Sequence, residues 1–203
     1  MNETLKRSLS GAVYVILLLT SIRYSAESFF ILFGIFLLLA VVEFCELVQL
    51  QKILPLGIAL LLFGLFYKVR FNRTYDLLLL GTTLFVSIKS IGFLFSQRNF
   101  PMDFLSKYVY LLGYIIFPFI IITKLPFGIQ GYNPKIIISI FLLIWTNDTF
   151  AYIVGKSMGK HKLFERISPK KTIEGFVGGV VFAILTSLLI SKYYIEGATN
   201  IWI

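Results

Sequence analysis

KIIISIFLLIWTNDTFAYIVGK, residues 135–156, is the stretch that decides the fold class. It is apolar over nearly its whole length, and a helix formed by it is about 33 Å long at a rise of about 1.5 Å per residue. That length crosses the hydrocarbon core of a bilayer, which is about 30 Å thick. Only 14% of the chain is charged, whereas soluble domains average about 25%. The sequence therefore predicts an all-α integral membrane protein.

Similar apolar runs recur along all 203 residues, and no stretch between them is long enough to form a separate soluble domain. We therefore predict a single membrane-embedded domain over residues 1–203, with about seven transmembrane helices. The predicted spans are 8–22, 27–47, 53–67, 76–95, 107–123, 135–156 and 175–195.

Lysines and arginines are more frequent on the side of the membrane that holds the N-terminus. Because cytoplasmic loops carry the excess of basic residues, we expect the N-terminus and the segment 156–174 to be cytoplasmic. A basic cluster formed by Lys68, Arg70 and Arg73 opposes this orientation. The formal net charge of +9 favours contact with anionic membrane lipids. No nucleic-acid partner is expected.

Asp148 is the ionisable residue that most needs an explanation, because an Asp at the centre of a membrane helix costs about 2.5–3.5 kcal/mol. Asn147 and Thr149 flank it, and Tyr152 and Lys156 follow at helical spacing on the same face. Asp148 then lies about 12 Å below Lys156 along the helix axis. A carboxylate in this position can neutralise a lysine or hold a divalent cation.

GKHKLFERISPKKTIEGFVGG, residues 159–179, is the one long polar stretch. Ser168 and Pro169 predict a helix start, with the serine as N-cap and the proline at the first helical position. Free backbone N–H groups there, together with Lys170, Lys171 and the Thr172 hydroxyl, are the ingredients of a phosphate site. The positive charge is also what a cytoplasmic loop needs for topology alone, although topology does not require the ordered residues around it.

Glu174 and a group of glycines complete this stretch. Glu174 could orient a lysine or coordinate a metal. Gly175, Gly178 and Gly179 predict close approach of another helix, such as the one that carries Asp148. A further pair, Gly155 and Gly159, brackets Lys156 and predicts a loop that is free to fold over a ligand.

NDTFAYIVGKSMGKHKL followed by ISPKKTIEGFVGG resembles the phosphatidate cytidylyltransferase (CDP-diacylglycerol synthase) family. That family carries Asp-Thr-x-Ala-Tyr, Gly-Lys-His-Lys and Ser-Pro-Lys-Lys-Thr-x-Glu-Gly in this order, and the match covers residues 147–179. The resemblance implies a polytopic membrane enzyme that transfers CMP from CTP to phosphatidate, releases pyrophosphate and needs Mg²⁺.

The resemblance also implies roles for individual residues. Catalytic roles fall to Asp148, Lys171 and Glu174, with Mg²⁺ held by Asp148. Substrate-binding roles fall to Lys156, Lys160, Lys162, Ser168, Lys170, Lys171 and Thr172. The expected partners are CTP, phosphatidate and membrane lipids, with a homodimer left open, and the expected location is a bacterial inner membrane.

One part of the family pattern has no match here. The family's C-terminal signature contains Lys-Asp, His-Gly-Gly and Asp-Arg-x-x-Asp, whereas the only histidine of this chain is His161 and no aspartate follows Asp148. The apolar ending at residues 200–203 is typical of the start of another helix. We therefore expect the chain to be the N-terminal portion of a longer cytidylyltransferase, the alternative being a truncated and inactive product.

Two other functions are compatible with the same residues. A CTP-dependent kinase of a polyprenol or phytol shares a similar arrangement of lysines, although Ser168-Pro169 favours the cytidylyltransferase. A membrane transporter is the non-enzymatic alternative, with Glu43, Lys89 and Asp148 along a translocation path. Proximity to the lipid headgroups and snorkelling explain Glu43 and Lys89 equally well.

Overall fold

The computed structural model describes residues 3–68, 72–95, 102–128 and 131–195. The predicted new helix at 200–203, and Arg70 of the opposing basic cluster, lie outside these ranges. The chain divides into two compact units, Met1–Tyr132 and Asn133–Ile203. A single membrane-embedded domain stays a prediction, and each unit is described by itself.

The first unit consists of consecutive apolar helices and one short hairpin. Its elements are α1 (Glu3–Tyr24), α2 (Ala26–Val48), α3 (Ile53–Lys68), α4 (Arg73–Phe95), α5 (Phe104–Tyr110), a π-helix (Leu111–Ile116), α6 (Phe117–Lys124), β1 (Phe127–Gly128) and β2 (Gly131–Tyr132).

The second unit is a helical hairpin with a small β-hairpin between its two helices. Its elements are α7 (Pro134–Met158), β3 (Lys162–Phe164), β4 (Ser168–Thr172), α8 (Ile173–Ile190) and a π-helical continuation (Ser191–Ile195).

All seven predicted spans lie inside observed helical segments, so the all-α membrane fold is confirmed. Among the described residues, five helical segments are long and apolar enough to cross a bilayer. The apolar parts of α1 and α3, Leu9–Tyr24 and Ile53–Tyr67, are shorter. Seven crossings therefore remain a prediction. The two β-hairpins were not predicted.

Local chemistry explains where several helices begin. The Ser25 hydroxyl accepts a hydrogen bond from the Ser28 backbone N–H, and the Ser28 hydroxyl accepts one from the Ser25 N–H, which together cap the start of α2. Asn133 caps α7 in the same way, with Pro134 in the first turn. Pro118 is the second residue of α6, just after the π-helix, and the wider turn accommodates a residue that has no N–H to donate.

The first unit buries one face of α2 and leaves other helix faces exposed. Phe29, Phe33, Leu37, Val41 and Cys45 recur every four residues and are all buried. On other faces of the same helix, Ile31, Ile35 and Leu39 are at least half exposed. Exposed apolar side chains of this size suit contact with lipid tails, so the pattern fits a membrane helix.

Tyr132 anchors the short β1–β2 hairpin. Its hydroxyl donates a hydrogen bond of 2.8 Å to the carbonyl oxygen of Ile22, in the last turn of α1. Burial, with a smaller contribution from Glu27, raises the pKa of Tyr132 to about 12. The hydroxyl therefore stays protonated and satisfies a carbonyl that has no partner within its own helix.

Glycines let α7 and α8 pack backbone against backbone. A Cβ added to Gly179 would lie 2.7 Å from Asn147 Oδ1, and one added to Gly175 would lie 2.6 Å from the Ala151 carbonyl oxygen. At Gly178 it would lie 2.7 Å from the Cβ of Val154. Because Gly175 meets Ala151 and Gly179 meets Asn147, the helices run antiparallel. The predicted close approach to the Asp148 helix is confirmed.

The two glycines around Lys156 have another purpose than the one predicted. Gly155 lies inside α7, where an added Cβ would be 3.0 Å from Thr172 Oγ1 and 3.5 Å from the Cα of Gly175. Gly159 has a φ of −66°, which any residue can adopt. The prediction of a freely folding loop is wrong here, because both positions need a small residue for close packing.

Candidate functional site

The predicted helix start at Ser168 is wrong, because Ser168–Thr172 forms strand β4. This strand pairs antiparallel with β3, with Lys162 opposite Thr172 and Phe164 opposite Ser168. Pro169 fits an edge strand as well as a first helical turn, since it only fixes φ and lacks a donor. Helix α8 begins at Ile173, and its N-cap is Thr172, whose Oγ1 accepts the Gly175 N–H at 3.2 Å.

The correction changes which groups are available to a phosphate. Lys170 and Lys171 lie on the strand that precedes the helix, and not in its first turn. The backbone N–H groups of Ile173 and Gly175 already donate, to the His161 carbonyl at 2.9 Å and to Thr172 Oγ1. The helix start therefore offers fewer free N–H groups than predicted, and the lysine side chains are the main cationic groups of the hairpin.

Glu174 closes the chain back onto the turn that follows α7. Its carboxylate accepts the backbone N–H of Lys160 at 3.1 Å and that of His161 at 3.2 Å. The same carboxylate lies 2.6 Å from Nδ1 of His161, which donates to it. Three contacts on one carboxylate fix the residues 160–161 to the first turn of α8. In this arrangement Glu174 orients a histidine and two backbone groups, and not a lysine.

Lysines line the exposed surface of this hairpin. Lys162 donates to the carbonyl oxygen of Pro169 across the two strands, at 2.6 Å. Lys160, Lys170 and Lys171 are exposed. No acidic side chain of the described residues forms an ion pair with these three. Their charge is therefore available to an anionic ligand.

Ser168 and Thr172 occupy less accessible positions in β4. Ser168 is half-buried opposite Phe164. Thr172 is only 8% exposed, and its hydroxyl oxygen accepts the helix-cap hydrogen bond. A direct contact between either hydroxyl and a substrate stays a prediction.

Asp148 and Lys156 lie on α7, below the hairpin. The Lys156 Nζ lies 5.8 Å from the centroid of the Tyr152 ring, so these two residues share a face as predicted. Asp148 is exposed, and the Asn147 side-chain amide donates to its Oδ1 at 3.5 Å. Among the described residues no lysine forms an ion pair with Asp148. Its carboxylate is thus accessible to an added cation.

The donor set around Asp148 fits a magnesium ion that is shared with a substrate. In the described parts of the chain, no three His, Cys, Asp or Glu residues come together in a metal-binding group. Mg²⁺ usually takes one or two carboxylates, several waters and substrate phosphate oxygens. The Asp148 carboxylate, with the Asn147 amide beside it, meets the lower limit of that requirement.

His161 is the residue of this site that the sequence interpretation missed. It was noted only as the chain's single histidine, and the structure places its ring on Glu174 between two lysines of the turn. Its position between Lys160 and Lys162 was a usable signal. Its partner Glu174, however, lies thirteen residues further along the chain, and the sequence pattern does not link the two residues.

Comparison with known families matches residues 5–203 to a single family model, described as the cytidylyltransferase family. The chain belongs to this family. The resemblance inferred from residues 147–179 is therefore confirmed over nearly the whole length, and cytidylyltransferases are nucleotidyltransferases.

Curated cytidylyltransferases match a shorter region. The phosphatidate cytidylyltransferase of Staphylococcus aureus is 49% identical over 63 residues, which is 31% of this chain and 24% of that protein. Those of Staphylococcus epidermidis and Staphylococcus haemolyticus are 48% identical over 69 residues and 46% identical over 63 residues, covering 34% and 31% of this chain. These matches cover 26% and 24% of the two relatives, so the chain spans about a quarter of the length of the curated relatives it matches. No solved structure matches the chain.

Proposed function

We propose that this membrane protein acts in the transfer of CMP from CTP to phosphatidate, forming CDP-diacylglycerol and pyrophosphate. The observation that carries the proposal is the hairpin surface, on which Lys160, Lys170 and Lys171 have no acidic partner among the described residues. Membership of the cytidylyltransferase family and the similarity to the phosphatidate cytidylyltransferases of Staphylococcus support the same reaction.

The chemistry of this reaction requires a cationic surface. A phosphate oxygen of phosphatidate attacks the α-phosphorus of CTP, the bond from that phosphorus to the bridging oxygen breaks, and pyrophosphate leaves. Both reactants are anions, so catalysis depends on positioning them and spreading the charge that develops. Lys160, Lys170 and Lys171 would hold the CTP phosphates, with Lys156 and Lys162 beside them.

Mg²⁺ is the proposed cofactor, and Asp148, assisted by Asn147, is the residue that would hold it. A bound Mg²⁺ would neutralise phosphate oxygens of the nucleotide. Lys171 is proposed to contact the reacting phosphates, and Glu174 to keep the turn at residues 160–161 in place beside it.

The proposed location is a bacterial inner membrane, with the N-terminus and residues 156–174 on the cytoplasmic side. CTP is a cytosolic nucleotide, so its binding surface must face the cytosol. The lysines lie on the hairpin between the end of α7 and the start of α8. In the proposed orientation, this hairpin would meet both the headgroup of an anionic lipid and a soluble nucleotide.

The experiment that tests the proposal uses the full-length protein that contains this chain, in detergent, with Mg²⁺, CTP labelled in its cytidine and micelles that contain phosphatidate. We expect labelled CDP-diacylglycerol and pyrophosphate in equal amounts. Lys171→Ala should lower the rate about 10-fold or more, since a hydrogen bond to a charged group contributes about 1.5–3 kcal/mol. The control is Lys192→Ala, because Lys192 is also exposed but lies beyond the opposite end of α8.

Two results would contradict the proposal. Formation of CDP together with a newly phosphorylated lipid alcohol would assign the protein to lipid kinases. Absence of CTP binding in calorimetry would remove the nucleotide reaction altogether and favour a transporter.

A further inference from the structure

The single histidine of the chain is held in an unusual way for an exposed side chain. The His161 side chain is 76% exposed, yet its ring nitrogen Nδ1 lies 2.6 Å from Oε1 of Glu174. The backbone N–H of the same residue donates to the same carboxylate at 3.2 Å. Because ring and backbone share one acceptor, rotation of the ring is restricted, and the entropy of holding it has already been lost.

The other ring nitrogen, Nε2, makes no hydrogen bond with the described residues. An imidazole whose Nδ1–H donates to a carboxylate has a defined orientation, which is how proteins prepare a histidine to act through its second nitrogen. When both ring nitrogens carry a proton, the ring can donate a hydrogen bond from each of them.

The charged residues of the hairpin indicate which kind of ligand Nε2 of His161 can bind. Lys160 and Lys162 flank the histidine in the chain, and Lys170 and Lys171 lie on the paired strand β4. Glu174 already accepts hydrogen bonds from residues 160–161, and the acidic residue in the turn between β3 and β4 is Glu165. A donor on a hairpin that carries these lysines is suited to an oxyanion with several oxygens, such as a phosphate.

We propose that His161 is a substrate-binding residue that donates from Nε2 to a phosphate oxygen, and that Glu174 is the positioning residue that orients it. This inference rests on the proposed function, because the phosphate belongs to CTP or to the phosphatidate headgroup. Glu174 then acts through the histidine and through the turn, and contacts neither reactant itself.

The test uses nuclear magnetic resonance, because one histidine gives one set of imidazole signals. The full chain is labelled with ¹⁵N-histidine, purified through a tag that contains no histidine, and studied in detergent at about pH 7. Unliganded protein should show protonated Nδ1. Addition of CTP with Mg²⁺ in one arm, or of phosphatidate micelles in the other, should move the Nε2 signal towards the value of a protonated nitrogen.

Variants separate binding from positioning. His161→Ala should weaken binding of the ligand identified in the responding arm about 10-fold, and His161→Gln, which retains an N–H donor, should recover part of the loss. Glu174→Gln should weaken binding in the wild type but add little in the His161→Ala background, because the two residues act as one unit. Glu165→Gln is the matched control, since Glu165 is an exposed acid of the same hairpin and should have little effect.

The outcomes are distinct. A response in one arm identifies the source of the phosphate and supports the inference. Binding of both ligands in calorimetry with an unchanged Nε2 signal overturns the inference and leaves the proposed function standing. Fully additive effects of Glu174→Gln and His161→Ala overturn the positioning role. Absence of any binding of CTP and phosphatidate overturns the proposed function itself.

Discussion

Thr172 and Glu174 are two residues apart, and each secures the start of α8 by a different contact. Thr172 caps the helix through its hydroxyl oxygen, while Glu174 reaches back to residues 160–161. Both contacts are hydrogen bonds to side-chain oxygens. The position of the lysine-bearing hairpin therefore depends on these hydrogen bonds as well as on the packing of Thr172 against Gly155 and Gly159.

The cap can be tested by Thr172→Val, which has nearly the same shape but lacks the hydroxyl. Loss of an N-cap costs about 0.5–2 kcal/mol, and about 1 kcal/mol corresponds to a fall in Tm of about 2–4 °C for a chain of this size. Thermal unfolding in detergent is the measurement. Thr172→Ser keeps the oxygen and should retain most of the Tm, and an equal loss in both variants would show that the hydroxyl contributes nothing.

At the residue scale, a sequence pattern is sufficient only where the conformation and contacts of a residue depend on its neighbours in the chain. Ser168 followed by Pro169 is a common helix start, but it is equally compatible with an edge strand. The choice between the two depends on pairing with Lys162–Phe164, which no pattern within five residues reveals. For the same reason, the sequence singled out Glu174 but not its partner His161.

At the scale of elements, the contact between α7 and α8 is the feature that the sequence predicted best. Glycines spaced three and four residues apart in α8 lie against Asn147, Ala151 and Val154 of α7. Small residues at that spacing allow the two backbones to approach closely. This contact matters in lipid, where apolar burial provides little driving force and helices associate mainly through van der Waals packing. The spacing of the glycines was sufficient for this prediction, because the small residues that allow the contact lie close together within one helix.

Gly179→Ala tests this contact directly. The added methyl would lie 2.7 Å from Asn147 Oδ1 and 2.8 Å from the Asn147 carbonyl oxygen, so the helices must separate. Overpacking of this kind costs about 1–3 kcal/mol. We expect a lower Tm in detergent and weaker CTP binding, since Asn147 adjoins Asp148.

Gly57→Ala provides the matched control, because Gly57 is also inside a helix but has open space around it. There the substitution should be neutral or slightly stabilising, since alanine is the better helix former by about 1 kcal/mol. Equal destabilisation by Gly57→Ala and Gly179→Ala would contradict the close-packing explanation.

The two β-hairpins show what the sequence could not predict at this scale. β1 and β2 contain two residues each, and β3 contains three. Runs this short show no alternation of polar and apolar residues, which is the primary signal for a strand. Long apolar helices, in contrast, were recognised at every predicted position.

At the scale of the whole molecule, the membrane orientation remains the main prediction. Helix α7 extends over Pro134–Met158, about 37 Å at about 1.5 Å per residue, which is long enough for its two ends to lie on opposite sides of the hydrocarbon core. Lys135 begins the helix, and the lysine-rich hairpin follows its end.

Cysteine labelling can determine the orientation. In intact cells, a membrane-impermeant maleimide should label Lys135→Cys, and should label Glu165→Cys only after permeabilisation. Both positions are exposed. The native Cys45 is fully buried, so the unsubstituted protein serves as a low-background control. The reverse pattern of labelling would place the hairpin outside the cytoplasm and would separate it from CTP.

The proposed magnesium site is the part of the molecule for which the sequence specifies the fewest residues. Asp148 is accessible and lies beside Asn147, but the described residues bring no second acidic group to it. A metal site is assembled from residues that are distant in the chain, so a single aspartate in an apolar helix indicates function without specifying the other ligands.

The backbone contact between α7 and α8 has a thermodynamic consequence for whatever the hairpin binds. Two rigid helices in van der Waals contact, with Glu174 tying the connecting turn to one of them, leave this segment with little freedom to lose. An anion bound as proposed would thus need to order little of the backbone, and the main ordering cost would be that of the lysine side chains that contact it, about 0.5–1.5 kcal/mol each. A recognition surface prepared in this way favours rapid exchange of one substrate for the next over a slow closing movement.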